Sequence, residues 1–318
     1  MAAKVKTVFG VQRRKLLFVS LLFILVVFVS LCVYTLTVDV GNSSLEVAVH
    51  VRSETELRAA INKTTTNVPV VIALDRDIKL TEGPLFIGVN QDITLTSNGD
   101  EFFKLIGAAG VSTISINSNG VLRLDGIAVT HLNGVIGSGV TINEDGTLIL
   151  INGEIYGNTN DIIGGGVNNR GTFIMYGGVI SGNTANYSGG GVAVSYNGVF
   201  RMYGGKILDN TAMYGGGVSN GCTFKMFGGE ISGNTASKEG GGVHSIYGAF
   251  NRFGGTICDN RSVQGEDNVY SAEVDGLSNA IICVSTAVIA GIVIGVLFLQ
   301  TKKKRNCRCK HENKISIT

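Results

Sequence analysis

The sequence has very little proline and no tryptophan, and charged residues are a small part of it. There are 2 Pro and 0 Trp in 318 residues, with 16% charged and 44% hydrophobic residues. So little proline excludes a proline-rich linker protein, and so much apolar material excludes a disordered polyelectrolyte. The sequence therefore predicts a folded protein with enough apolar residues for a core.

Cysteine is also scarce where disulfides would form. Of the 6 Cys, four lie in long apolar runs or in the C-terminal tail, at Cys32, Cys283, Cys307 and Cys309. The other two, Cys222 and Cys258, occupy different columns of the repeat described below, so we expect no disulfide between them. The sequence therefore does not predict a disulfide-stapled domain.

The formal net charge of +2 is distributed unevenly along the chain. Residues 1–15 carry five Lys or Arg and no acid, and residues 302–318 carry seven against one Glu. The segment between them carries 14 basic and 23 acidic residues. Because the middle of the chain is acidic, we expect no nucleic-acid partner.

Two long apolar runs adjoin the basic ends. Residues 16–38 and 280–299 contain no charge, and each reaches the ~20 residues that a helix needs to cross a bilayer. Since Lys and Arg mark cytoplasmic flanks, both chain ends are predicted to be cytoplasmic. The first run is either a retained signal anchor or a long signal peptide. In the second run, Gly291 and Gly295 form a G-x-x-x-G pattern that suits a homodimer.

These runs divide the chain into successive segments. They are a cytoplasmic basic segment (1–15), a transmembrane helix (16–38), a linker (39–52), an extracytoplasmic domain (53–272), a linker (273–279), a transmembrane helix (280–299) and a cytoplasmic basic tail (300–318). The predicted location is the cell membrane, with residues 53–272 outside the cytoplasm.

A repeated phrase fills most of the extracytoplasmic segment. Large apolar residues recur at intervals of 25, 27, 24 and 26 residues, at Leu148, Phe173, Phe200, Phe224 and Phe250. The same intervals hold for Asn158, Asn183, Asn210, Asn234 and Asn260. Self-similarity at a fixed period of this size indicates a solenoid.

The local chemistry of the repeat predicts strands. Short runs alternate apolar and variable residues, which is typical of strands, and glycine pairs and triplets interrupt the runs where the chain must turn sharply. A coil of ~25 residues with two or three short strands has the size of one turn of a parallel β-helix. The sequence thus predicts an all-β solenoid of roughly eight coils.

The asparagine column has a structural interpretation. Equivalent Asn side chains one strand spacing apart can form hydrogen bonds along the stack, and Asn tolerates the left-handed backbone of a tight corner. We therefore predict that these five asparagines form a structural ladder rather than a binding site.

The phrase G-G-x-I-S-G-N-T-A followed by G-G-G-V resembles the repeats of right-handed parallel β-helix surface proteins, an adhesin-like group with a pectate-lyase-like fold. The resemblance covers roughly residues 70–272 and is strongest in 146–260. The G-G-x-I phrases are also similar to repeats of polymorphic membrane proteins of the autotransporter type, although the companion F-x-x-N motif of those proteins is missing here. The resemblance implies a right-handed β-helix displayed on a cell surface.

A short helix is predicted immediately before the first coils. Ser53 and Glu56 form a capping box ahead of an apolar stripe at Leu57, Ala60 and Ile61. A helix over 53–63 would cover the open apolar end of the solenoid, which otherwise exposes strand edges.

Candidates for catalysis are sparse, and we assign no catalytic residue, metal or cofactor. Asp209 and Asp259 share a column, but Gly233 leaves an empty rung between them, a gap too wide for a shared calcium ion. His131 and His244 lie on different coils without partners at metal-ligand spacing, so both are predicted to be solvated surface residues.

One outward-facing column of aromatic residues indicates a binding surface in addition to a structural role. If Phe173 and Met175 point inward, the position after each Met column points outward, and it holds aromatic residues on four successive coils: Tyr176, Tyr203, Phe227 and Phe253. Two cations flank them, Arg201 and Lys225. Flat aromatic faces stack on sugar rings or on partner side chains, so these six residues are the predicted ligand-binding set. An alternative is that the stacked rings only stabilise neighbouring rungs.

Three functions remain open at the level of the sequence. The first is a membrane-anchored, adhesin-like surface protein that binds a glycan or a protein through the solenoid face without catalysis. The second is a polysaccharide lyase or hydrolase on the same fold. The third is a structural surface-layer component with no specific ligand. The aromatic column favours the first.

Overall fold

A computed structural model describes residues 48–271 apart from 66–67, 100, 247 and 265–266. These residues form a parallel β-solenoid, as the repeat predicts, with short strands in three sheets and one short helix. The two apolar runs, residues 16–38 and 280–299, and the Gly291–Gly295 pattern lie outside the described residues. Among the residues that are described, no helix is long and apolar enough to span a membrane.

The first sheet contains 15 strands. Its main path runs through β1 (Val49–Val51), β2 (Pro69–Leu74), β5 (Asp92–Ser97), β8 (Val121–Thr130), β10 (Thr147–Tyr156), β13 (Thr172–Met175), β17 (Val199–Met202), β21 (Thr223–Met226) and β25 (Ala249–Arg252). Beside this path lie β3 (Ile78–Lys79), β6 (Lys104–Ile106), β14 (Val179–Ser181), β18 (Lys206–Leu208), β22 (Glu230–Ser232) and β26 (Thr256–Cys258).

The other two sheets complete each coil. The eight-stranded sheet contains β4 (Leu85–Ile87), β7 (Ile114–Ile116), β9 (Val140–Ile142), β12 (Val167–Asn169), β16 (Val192–Val194), β20 (Val218–Asn220), β24 (Val243–Ser245) and β28 (Val269–Ser271). The five-stranded sheet contains β11 (Thr159–Asn160), β15 (Thr184–Ala185), β19 (Thr211–Tyr214), β23 (Thr235–Glu239) and β27 (Arg261–Ser262). Because each coil contributes one strand to the eight-stranded sheet, there are about eight coils.

The pairing registers follow the intervals of the repeat. Phe173 pairs with Phe200, Phe200 with Phe224, and Phe224 with Phe250, all between parallel strands. Since side chains alternate along a strand, every residue in such a column points to the same side. The first three phenylalanines are fully buried, so the columns read from the sequence are the inward-facing positions of the solenoid.

The buried phenylalanines form a continuous interior stack. Ring centroids are 4.7 Å apart for Phe173 and Phe200, 4.7 Å for Phe200 and Phe224, and 4.9 Å for Phe224 and Phe250. Interplanar angles are between 5° and 16°. We call these four residues the phenylalanine stack. Phe250 is only half-buried, because the last coils have fewer neighbours above them.

A second interior column consists of asparagines, and all its side-chain hydrogen bonds point in the same direction along the solenoid. The side-chain amide nitrogen of each asparagine donates to the side-chain oxygen of the asparagine on the next coil at 2.9 Å, from Asn158 through Asn260. The backbone nitrogen of each donates to the same oxygen at 3.0 Å. At the last rung, Asn260 donates to Asn268, eight residues further along the chain. Each buried amide thereby has its partners, which a buried polar group requires.

The first rung of this asparagine ladder is terminated by a histidine. His131 Nδ1 lies 2.8 Å from Asn158 Oδ1, and His131 Nε2 lies 3.0 Å from the Val111 carbonyl oxygen. His131 is 4% exposed, so the prediction of a solvated surface histidine is wrong. The imidazole stands where the repeat becomes irregular, and it places one ring nitrogen within hydrogen-bond distance of the amide oxygen of Asn158.

The predicted capping helix is present, but a strand precedes it. Helix α1 (Glu54–Asn62) begins after Ser53, whose hydroxyl accepts from the Glu56 backbone nitrogen. Leu57 and Ile61 are buried in the same core as the strands. Strand β1 pairs with β2 inside the segment that the sequence assigned to a linker, residues 39–52. The right-handed winding implied by the resemblance stays a prediction.

Candidate functional site

The outward aromatic residues form a second stack, on the surface of the solenoid. Ring centroids are 5.2 Å apart for Tyr176 and Tyr203, 4.8 Å for Tyr203 and Phe227, and 5.0 Å for Phe227 and Phe253. The four side chains are 55%, 43%, 40% and 64% exposed in chain order. We call these four residues the aromatic ladder.

Glycine pairs position the aromatic ladder. Each ring is followed by two glycines, as in Tyr203-Gly204-Gly205. A Cβ on Gly204 would collide with the Tyr176 carbonyl oxygen of the preceding coil, so only glycine allows the coils to approach here. Gly205 has a φ of +81°, in the left-handed region that favours glycine. The chain therefore turns sharply after each ring, and the ring lies at the corner between β17 and β18.

The backbone of each ladder residue is also fixed by the coil before it. The Tyr203 nitrogen donates to the Met175 carbonyl oxygen at 2.8 Å, and the Phe227 nitrogen donates to the Met202 oxygen at 2.7 Å. The rings are thus placed by main-chain bonds and corner geometry rather than by contacts of their own. Such rigid placement would be suitable for a preorganised contact surface.

The rings of the aromatic ladder stack face to face along the solenoid. Interplanar angles of 16°, 8° and 11° mean that the faces of successive rings cover one another. Within the described part of the chain, no ring stacks on the far face of Phe253. The surface available to a partner is therefore mainly a ridge of ring edges. At each end of the ladder, on Tyr176 and on Phe253, one face is covered by no other ring of the described residues.

The apolar surface begins one coil earlier than the aromatic pattern indicates. Ile151 precedes Tyr176 by the same 25 residues that separate Leu148 from Phe173, and it is 38% exposed. A Cβ on Gly177 would collide with the Ile151 carbonyl oxygen, just as a Cβ on Gly204 would collide with the Tyr176 carbonyl oxygen. Sequence reasoning missed Ile151 because the search was for aromatic residues, although the repeat interval identifies the position.

One side of the aromatic ladder carries the two predicted cations. Arg201 in β17 pairs in register with Lys225 in β21. Each lies two residues before a ring of the ladder, so it projects from the same side of the strand. Ile174 and Asn251 continue the same column on the neighbouring coils. Both cations are half-buried, and they form a positive patch beside the ring edges.

The opposite side of the ladder carries a neutralised pair. Lys206 Nζ lies 3.2 Å from Glu230 Oε2, on the paired strands β18 and β22. Hydrogen bonds from Ser232 and from Lys206 hold the pKa of Glu230 below its ordinary value. This flank therefore contributes little net charge. The positive charge of the ladder region lies with Arg201 and Lys225 and with the exposed Arg252, which directly precedes Phe253.

The acidic candidates occupy corners of the backbone. Asp209 and Asp259 have φ values of 54° and 55°, and Gly233 between them has a φ of 68°. A Cβ on Gly233 would collide with the Asp209 carboxylate, so that side chain lies over the empty rung. In the described residues, no group of three or more His, Cys, Asp or Glu is arranged to hold a metal ion.

His244 is buried, contrary to the prediction of a surface residue. Its ring lies 5.0 Å from the ring of Tyr214 and 5.4 Å from that of Tyr270, and the side chain is 9% exposed. Burial lowers the pKa of His244, and the carboxylate of Glu239, 3.6 Å from Nε2, opposes that shift. Tyr214, the last residue of β19, and Tyr270 of β28 pack against the ring, and the period of the repeat does not reveal these contacts.

The fold and this surface define a class of protein, a parallel β-solenoid with an exposed aromatic ladder. In comparisons with known proteins, no family model, no curated protein and no solved structure matches the chain.

Proposed function

We propose that the protein is a membrane-anchored, adhesin-like cell-surface protein that binds a partner through the aromatic ladder, without catalysis. The observation that carries this proposal is the set of four stacked rings, each at least 40% exposed, on a backbone that fixes their positions. An apolar ridge of this kind in water is typical of a contact surface. Aromatic side chains are also enriched among the residues that dominate binding energy.

The location rests on the sequence. Two uncharged runs with basic flanks favour anchoring, with residues 53–272 outside the cytoplasm. The pattern at Gly291 and Gly295 would allow two copies to pack through their membrane helices. A dimer would place two ladders on one membrane patch, and two linked sites raise the strength of attachment without any new contact.

Catalysis on the same fold is the second candidate, and one observation bears on it. Asp209 and Asp259 share one column, as do the carboxylates of enzymes that cut polysaccharides. Their side chains extend from corner positions with left-handed backbone, and these positions would have to hold a substrate between them. The third candidate, a surface-layer component, would need no ligand.

The experiment uses the purified full-length chain on a panel of immobilised neutral polysaccharides, acidic polysaccharides and synthetic peptides. Retention of the protein and release of oligosaccharides are measured together. We expect retention by at least one class of probe, without released product. We expect Tyr203→Ser to abolish retention, because it removes the ring in contact with both Tyr176 and Phe227.

The matched control is Phe86→Ser. Phe86 lies in β4 and is 52% exposed, so the change removes a similar area of exposed ring away from the ladder. Equal loss in both variants would contradict a specific role of the ladder. Released oligosaccharide would support the enzyme instead, and no retention on any probe would support the structural component. Protease digestion of intact cells that express the chain tests whether residues 53–272 are outside.

A further inference from the structure

Two cations beside the aromatic ladder have no counterion. Within the described residues, Arg201 and Lys225 form no ion pair and no hydrogen bond through their side chains. They are directly opposite each other on paired strands, and like charges in such positions repel. The residues that continue the column, Ile174 and Asn251, are uncharged, so nothing in the column offsets the repulsion.

Two other cations on the same sheet are paired with carboxylates. Lys206 pairs with Glu230 across neighbouring coils. Arg123 in β8 forms an ion pair with Asp92 in β5, two register positions away along the neighbouring strand. Lys79, Lys104 and Arg252 are exposed on this sheet and form no ion pair within the described residues. Arg201 and Lys225 are distinguished from them because they lie directly opposite each other, beside the exposed rings.

The rings themselves favour the same sign of partner. The quadrupole of an aromatic ring is negative at its face and positive at its edge. Because the faces of the aromatic ladder cover one another, its exposed surface is mostly the positive edge. The hydroxyl groups of Tyr176 and Tyr203 can also donate hydrogen bonds. Cations, ring edges and hydroxyl donors thus converge on one strip that suits carboxylates and apolar groups together.

We infer that the partner of the aromatic ladder is an acidic peptide segment in extended conformation, with carboxylates that meet Arg201 and Lys225. This inference rests on the proposed binding function. Ring centroids 4.8–5.2 Å apart give the ladder a length of roughly 15 Å, which about five residues of extended peptide would span. Carboxylates on one face of the peptide contact the cations, and apolar side chains contact the ring edges.

A peptide fits this strip better than a glycan. Sugars bind aromatic residues by stacking on ring faces. Within the described residues, the faces that no other ring covers are those at the two ends of the ladder, on Tyr176 and Phe253, roughly 15 Å apart. A peptide brings aliphatic and aromatic side chains that can pack against a ridge of edges. The charge complementarity with Arg201 and Lys225 then selects acidic peptides over neutral and basic ones.

The test uses an array of hexapeptides that alternate Leu, Phe or Val with Glu, Gln or Lys, and the purified full-length chain as the ligand in solution. We expect the Glu peptides to retain the protein best, with retention that falls as salt is raised. The double variant Arg201→Gln and Lys225→Gln should weaken binding to Glu peptides roughly tenfold, since two exposed ion pairs are lost. It should leave binding to Gln peptides unchanged.

Lys206→Gln is the matched control, because it removes a cation from the other flank that is already paired with Glu230. It should leave the preference for Glu peptides intact.

Equal binding of Glu and Gln peptides, or no effect of the double variant, would overturn the acidic-peptide assignment. If Tyr203→Ser still abolished binding in that case, the binding function would stand. The protein could instead be retained preferentially on a sulfated or uronic polysaccharide, with that retention lost in the double variant. This result would overturn the assignment of a peptide partner and favour an acidic glycan. Absence of binding to every peptide overturns the inference, and the polysaccharide panel then decides the binding function separately.

Discussion

The solenoid contains two stacks of aromatic rings with nearly the same geometry and opposite exposure. In the phenylalanine stack, centroids are 4.7–4.9 Å apart and the first three rings are fully buried. In the aromatic ladder, centroids are 4.8–5.2 Å apart and every ring is at least 40% exposed. The spacing is set by the distance between coils in both cases.

The difference teaches that a regular ring spacing is no evidence of function by itself. Any residue type repeated in one column of a parallel solenoid is brought to the strand spacing of ~4.8 Å. What distinguishes the two stacks is the environment, since the interior rings gain from burial and the exterior rings remain in water. The two stacks should therefore respond very differently to the loss of one ring.

The largest effect is expected inside. Phe200→Ala removes the ring between Phe173 and Phe224 and leaves a cavity in a fully buried column. We expect the free energy of unfolding to fall by ~3–5 kcal/mol, measured by denaturant unfolding of the full-length chain. A loss of under about 1 kcal/mol would show that the interior relaxes around the missing ring.

The next largest effect is expected in the asparagine ladder. Asn210→Ala leaves the backbone and side-chain donors of Asn183 without their acceptor. It also removes the side-chain donor to the oxygen of Asn234, which keeps the backbone donor of residue 210. We expect destabilisation of ~2–3 kcal/mol, because unpaired buried polar groups retain their desolvation cost.

Asn186→Ala is the matched control for that change. Asn186 is an exposed asparagine in the same repeat, and its loss should change stability by less than about 0.5 kcal/mol. If the two alanine variants had equal stability, the hydrogen bonds along the ladder would not contribute to the fold.

A smaller effect is expected at the surface. Tyr203→Ser should lower the free energy of unfolding by about 1 kcal/mol, the size of cross-strand ring contacts at exposed positions. Denaturant unfolding of this variant beside Phe200→Ala compares the two stacks directly. Equal destabilisation would make the aromatic ladder a structural element and would remove the main support for a binding surface.

The smallest effect on stability is expected when the pH is lowered. The Phe and Asn side chains of the interior columns do not titrate, so this effect comes from a carboxyl group outside those columns. Hydrogen bonds from His50, Asn98 and Arg52 lower the pKa of Asp75 from its ordinary value of 3.8 to about 2. A depressed carboxyl pKa stabilises the fold above about pH 4, and this contribution is lost as the pH falls through about 2. Unfolding measured from pH 5 to pH 2 should show a shallower decline for Asp75→Asn. An unchanged slope would mean that Asp75 does not contribute.

Much of the fold could be predicted because the period of the repeat carries it. The intervals between Phe173, Phe200, Phe224 and Phe250 predicted the register of three strand pairs. The Ser53 capping box predicted helix α1. Positions that depend on loops or on irregular coils could not be predicted this way. His131 and His244 were misplaced at the surface, because one ends the asparagine ladder and the other packs against Tyr214 and Tyr270.

In the candidate site too, some features could be predicted from the repeat and others could not. Sequence periodicity alone determined that Tyr176, Tyr203, Phe227 and Phe253 share one outward column and that Arg201 and Lys225 lie beside it, because a parallel stack repeats each column at every coil. Only the tertiary structure decided which way the rings face and which cations lack a partner. Ring orientation follows from close contact between coils, and ion pairing depends on side chains from different strands. The spacing of residues along the chain encodes neither of these features.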